Sequence, residues 1–176
     1  MIDLDEYLHI LSDDSDVDQE EKDNEQYQRK LFRDYVLRKN DHLEIRRELK
    51  RRFDAGAELT GPKGLRKQLA AFDLGYFGRA YLKHYFVRPS PSFHEELDEI
   101  WTKGVLKGRN PAMDAKKISR LDGSKNVVAA PGGHAKSTNF TFKDSLHAAL
   151  YLYKHYIIIL SDSSDQAEGF LSDIKT

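Results

Sequence analysis

Eight consecutive residues, Ala130-Pro131-Gly132-Gly133-His134-Ala135-Lys136-Ser137, bring together the groups that hold a phosphate chain. In a Gly-rich turn that opens a helix, backbone N–H groups point at phosphate oxygens. Lys136 is placed to reach β- and γ-phosphates and Ser137 to ligate Mg²⁺, with Thr138 behind it. The strict pattern G-x-x-x-x-G-K-[ST] is not met, because both framework glycines are alanine, Ala130 and Ala135. Alanine is tolerated where φ is negative and strained where φ is positive. Gly132 and Gly133 are available to make the turn instead. The pattern alone leaves open a nucleotide site and a plain Gly-rich strand–helix turn.

Two weaker constellations are set aside. Ser12–Glu25 is rich in acids like a calcium loop, but it has no Gly at the turn and no apolar helices beside it. His94 stands among Glu95, Glu96, Asp98 and Glu99, yet no second His follows at helical spacing, so a half-buried or surface His is expected rather than a metal ligand.

The elements around the Lys136 loop suit its chemistry. Lys125–Ala130 is a short apolar run closed by Pro131-Gly132-Gly133, which predicts a strand entering a turn. Ser137–Tyr153 lacks Gly and Pro and predicts a helix. Tyr156-Ile157-Ile158-Ile159-Leu160 predicts a parallel strand buried on both faces. Ser163-Ser164-Asp165-Gln166 is a capping box opening a helix with Ala167, Phe170, Leu171 and Ile174 inward. In sequence order these make a βαβ unit with its crossover helix.

Here the chain resembles a known family. AAPGGHAKST, followed about twenty residues later by YIIILSDSSDQAEGFLSDIK, is similar to the ATPase of the large terminase subunits of tailed phages. That family writes its loop A-P-R-G-H-[GA]-K-S-T, ends the next strand in S-D-[TS] and opens the next helix with Q-A. Phe93-His94-x-Glu96-Leu97 resembles the stretch that precedes the family's nucleotide fold. The resemblance covers Tyr85 to Lys175 and hardly touches residues 1–60. It implies an α/β chain: a helical N-terminal region followed by the first βαβ of an ASCE-type P-loop ATPase. It further implies ATP and Mg²⁺ as cofactors, bound by Pro131, Gly132, Gly133, His134, Ala135, Lys136, Ser137 and Thr138. Lys136 would be the catalytic lysine and Ser137 the Mg²⁺ ligand through the nucleotide. The implied partners are double-stranded DNA, a portal protein, a small terminase subunit and further copies in a ring. The implied location is the cytoplasm of a bacterial host. Gly132 stands where the family has an Arg that attends the γ-phosphate. The family's Walker B acids and nuclease carboxylates find no counterpart up to Thr176, so the chain is expected to be truncated and incomplete for hydrolysis. An interaction or DNA-binding module with a vestigial loop is the alternative.

Upstream, residues 26–110 read as helical. Tyr27, Leu31, Phe32, Tyr35 and Val36 fall at helical spacing, and Asn40-Asp41 interrupts them. Leu43, Ile45, Leu49 and Phe53 continue among Arg46, Arg47, Lys50, Arg51 and Arg52. The basic cluster predicts a solvated face bearing pairs with Glu44 and Glu48 more readily than a DNA contact. Leu74, Phe77, Tyr81 and Tyr85 form one stripe expected in the core. Ser92-Phe93-His94-Glu95 is a capping box, followed by Phe93, Leu97, Ile100, Trp101 and Val105 on one face.

Charge is unevenly distributed. Residues 1–25 carry 11 acids and one base, so a net charge of −1 hides a body of +9 over 26–176. Segment 12–25 has one apolar residue, Val17, and is expected to be a disordered acidic tail. The basic body is compatible with a polyanionic partner. With no Cys, disulfides and thiolate metal sites are excluded. An acidic start, Met1-Ile2-Asp3-Leu4-Asp5, argues against an export signal, and no run approaches the ~20 apolar residues of a membrane span. Residues 111–176 are read as the incomplete ATPase core.

Overall fold

In the run from Tyr27 to Val36, apolar side chains recur every three or four residues, and the chain there is helical. The computed structural model describes residues 24–88, 90–105, 127–129, 137–154 and 156–175. Residues 1–23 of the acidic tail and Ala130–Lys136 of the candidate loop lie outside the described residues, while Asn24 and Glu25, expected in the disordered tail, are helical. Two compact units divide the chain, Met1–Leu59 and Thr60–Thr176.

In the first unit α1 (24–36) and α2 (Leu43–Asp54) form a helical hairpin. Leu31, Phe32, Tyr35 and Val36 are buried with Leu49, Phe53 and Leu59, and the rings of Phe32 and Phe53 lie 4.9 Å apart. The break at Asn40-Asp41 ends in His42, at φ 51° in the left-handed region. Arg46 is fully buried. It donates to the Tyr35 carbonyl at 3.1 Å, the Asp41 carbonyl at 2.9 Å and the Asp41 carboxylate at 2.9 Å. It thereby ties the end of α1, where the Tyr35 carbonyl also accepts the Arg38 amide at 3.1 Å, to the turn. Two more of the basic cluster pair locally, Arg51 with Glu48 and Lys50 with Asp54, as on a solvated helix face.

The second unit holds α3 (Leu65–Ala70), α4 (Leu74–Tyr81), α5 (Ser92–Val105), a π-helical segment (Ser137–Asp144) running into α6 (Ser145–Leu150), and α7 (Ser164–Lys175). Asp73 caps α4, its carboxylate accepting the Tyr76 amide at 2.9 Å. Leu74, Tyr76, Phe77 and Ala80 are buried against α3 and α5, joined by Leu65, Leu69, Phe72 and Leu97. The stripe expected to continue through Tyr81 and Tyr85 stops early. The helix ends at Tyr81, which is 39% exposed, and Tyr85 is 60% exposed. Ser92 is the first residue of α5 rather than its cap, and the Pro91 carbonyl accepts the His94 amide at 2.9 Å.

The helix expected over Ser137–Tyr153 forms, but its first half is π-wound and its end is drawn in. Leu152 turns left-handed at φ 55°, which returns Tyr153 to the core. Ser163 caps α7 as expected: its hydroxyl accepts the Gln166 amide at 3.3 Å and its carbonyl the Ala167 amide at 3.2 Å.

The described residues are mostly helical, and no strand forms among them. Tyr156, Ile158 and Leu160, expected to be buried, are 82%, 65% and 89% exposed, and Val127 is 98% exposed. A strand exists only through its ladder, and 156–160 has no described strand beside it. No helix of the described residues is long and apolar enough to cross a membrane.

Candidate functional site

Ser137 and Thr138, the two described members of the candidate loop, open the π-helical segment. Ser137 is exposed. Thr138 is half-buried and lines a cavity of about 320 Å³ together with Tyr85, Phe86, Arg88, Pro91 and His94. Each wall has a local cause. After α4 the chain turns, the Phe86 amide donating to the Leu82 carbonyl at 3.0 Å, and Phe86 is buried. Pro91 immediately precedes α5, whose first turn presents His94. The cavity thus offers apolar rings, one guanidinium, one imidazole and the hydroxyls of Tyr85, Ser90 and Thr138, suited to a flat polar ligand bearing negative charge. Thr138 and His94, separate motifs in the sequence, line one cavity.

Behind this cavity lies an ionic cluster that sequence reasoning missed. Lys143 Nζ donates to Asp98 Oδ1 at 2.5 Å and stands 3.5 Å from Asp144 Oδ1. None of the three side chains is more than 2% exposed. Lys143 also lies against the Phe86 ring, 5.4 Å from its centroid. Gly78 makes room for it, since a Cβ there would meet Lys143 Cδ at 3.1 Å and the Phe86 ring at 3.3 Å. Burial pushes the Asp144 carboxyl up to about 7; Lys143 opposes this and Asp98 adds to it. A signal existed: Lys143 stands three residues after Phe140 and four before His147, on the buried face of its own helix.

His147 is fully buried. Burial holds its imidazole down to about 4, against the hydrogen bond with the Ala70 carbonyl, which favours the charged form. It is therefore neutral, with Nε2–H donating to that carbonyl at 2.9 Å and Nδ1 unpaired among the described residues. The Tyr151 and Tyr153 hydroxyls donate to the carbonyls of Lys67 and Ala71 at 3.0 and 2.7 Å. One turn of chain thus caps the C-terminal end of α3 with three side chains.

Asp162 is exposed and accepts from the Ser161 hydroxyl at 3.3 Å, just before α7. Among the described residues no group of three or more His, Asp or Glu is placed to hold a metal. Ser137 is the one described side chain with the role of a Mg²⁺ ligand in the sequence reading. Pro131, Gly132, Gly133, His134, Ala135 and Lys136 lie outside the described residues. No family model, no curated protein and no solved structure matches the chain.

Proposed function

We propose that this chain is the N-terminal ATPase portion of a viral DNA-packaging motor, the terminase large subunit, built on an ASCE-type α/β P-loop core. In this reading ATP is held through its phosphates by the segment Pro131–Lys136, with Mg²⁺ on Ser137, and its base enters the cavity beside Thr138. The observation that supports this reading is that Thr138 and His94, from the two sequence segments that resemble the family, line one cavity. Arg88 on the same wall supplies positive charge for a nucleotide. In the assembled motor, copies form a ring that engages double-stranded DNA, a portal protein and a small terminase subunit in the bacterial cytoplasm. The isolated chain binds nucleotide without sustained turnover.

Hydrogen exchange with and without ATP·Mg²⁺ tests the site. Slower exchange at the amides of Gly132–Ser137, lost in Lys136→Ala, is the expected result, because a Gly-rich phosphate loop binds through its amides. Unchanged exchange at millimolar nucleotide in folded protein overturns it. A second reading, a non-enzymatic interaction module, is favoured by the bare apolar residues Tyr156, Ile158 and Leu160. A DNA-binding role for α2 has less to stand on, since Arg46, Lys50 and Arg51 are already paired with acids. Salt-sensitive DNA affinity that survives Lys136→Ala would favour it nonetheless.

A further inference from the structure

Between α6 and α7 the chain runs through Tyr156-Ile157-Ile158-Ile159-Leu160, five apolar residues without Gly, Pro or charge. Their exposure alternates. Tyr156, Ile158 and Leu160 are bare at 82%, 65% and 89%, while Ile157 and Ile159 are half-buried. A period of two is the pattern of a strand with one face on its own chain. No ladder forms, however, and among the described residues the backbone of 156–160 makes no hydrogen bond. Residues 127–129, the described part of the other run expected to be a strand, do not pair with it. Unpaired backbone donors and acceptors beside a bare apolar face make a template for another strand.

The charges on either side select which strand that is. Lys154 and Asp162 stand four residues before and four residues after Ile158. Both spacings are even, so in a strand the two charges share the face of Tyr156, Ile158 and Leu160. When two copies run antiparallel about Ile158, Ile158 meets its own counterpart, Tyr156 meets Leu160, and Lys154 meets Asp162 at both ends. Parallel in-register stacking instead sets lysine against lysine and aspartate against aspartate, which is destabilising. A slip by one residue turns one copy's apolar set to the other face. A slip by two sets Asp162 against Tyr156.

We propose that Tyr156–Leu160 is a self-association strand: two copies of this chain pair antiparallel across a two-fold axis at Ile158, held in register by Lys154 and Asp162. Such an axis is that of the commonest homodimers, in which one patch meets itself. A two-stranded ladder is marginal in water unless a face is also packed, and Ile157 and Ile159 are already half-buried in their own chain. The dimer is accordingly weak and concentration-dependent. It does not rest on the nucleotide reading.

Sedimentation equilibrium of the full chain over a range of concentrations should show a reversible monomer–dimer step. Lys154→Asp places like charges at both ends and should lower the association constant about ten-fold, whereas Lys154→Asp combined with Asp162→Lys should restore it. The chain has no cysteine, so introduced thiols report the register. Directly opposed residues of an antiparallel pair have Cα atoms about 4.5–5.5 Å apart, within the span of a disulfide. Oxidised Ile158→Cys should therefore give a covalent dimer, while Tyr156→Cys and Leu160→Cys should crosslink only when mixed. All three positions are exposed, and circular dichroism checks that each variant folds. Crosslinking of Tyr156→Cys alone as readily as Ile158→Cys overturns the antiparallel register, and open-ended aggregates overturn the closed two-fold. A chain that stays monomeric at millimolar concentration overturns the self-association. Slow amide exchange over 156–160 in that monomer would assign the edge to a strand of the same chain, and fast exchange to a partner of another kind.

Discussion

Nε2 of His147 donates to the carbonyl of Ala70 at 2.9 Å, with both residues fully buried. The bond closes the end of a six-residue helix that leaves its last carbonyls without helical partners. His147 also meets the ring of Phe77 edge-on, 5.0 Å between centroids, so the same side chain packs and caps. His147→Ala should therefore cost about 2–4 kcal/mol, combining a cavity with an unsatisfied carbonyl. Chemical denaturation of the two proteins measures it.

The same burial gives a pH signature. The imidazole is held down to about 4, so the stability it contributes is present above 6.5 and is lost as pH falls from 6.5 towards 4. In the NMR spectrum the ring carbons of His147 should keep their neutral shifts at pH 5. A ring that titrates at 6.5 would mean that the Ala70 contact is open in solution.

Gly78 lies inside α4, where alanine ordinarily stabilises by about 1 kcal/mol. Here the added Cβ would press on Lys143 Cδ at 3.1 Å and on the buried Phe86 ring at 3.3 Å. Gly78→Ala should reverse the usual sign and destabilise by about 1–3 kcal/mol, the range for overpacking. Gly169, inside α7 with nothing within 4 Å of an added Cβ, is the natural control for thermal melts of both variants.

How far the sequence was legible follows from what each residue needs. Helical periodicity located α1 and α2, and the Ser163 cap located α7, because these depend on neighbours three and four residues away. Asp98 was read as one acid among several on a polar helix start, since its partner Lys143 is 45 residues distant and no local rule connects them. Tyr81 and Tyr85 share a stripe with Leu74 and Phe77, yet the helix ends before Tyr85, and periodicity alone does not mark that end. The strand reading of Tyr156–Leu160 rested on composition. Composition records that these residues suit a sheet but not whether a neighbouring strand is there to pair with them. Of the candidate site, Ser137 and Thr138 were legible from the loop pattern, whereas Tyr85 and Arg88 emerged as cavity wall only from the turn after α4.

Arg46 offers the sharpest test of the first unit. Five basic residues crowd α2, and charge alone does not tell them apart. Arg46 is fully buried, while Arg47 beside it is exposed. The guanidinium answers two carbonyls, of Tyr35 and Asp41, and one carboxylate. Its planar fork supplies those donors at once, which a lysine ammonium does not reproduce. Arg46→Lys should thus already destabilise the hairpin, and Arg46→Ala should cost about 3–5 kcal/mol, the range for removing one partner of a buried pair. Arg47→Ala should stay within about 0.5 kcal/mol, as surface substitutions do. Urea unfolding followed through the tyrosines of α1 compares the three. Equal midpoints for Arg46→Ala and Arg47→Ala would show that the hairpin holds without its buried guanidinium, and that Arg46 belongs with the solvated face.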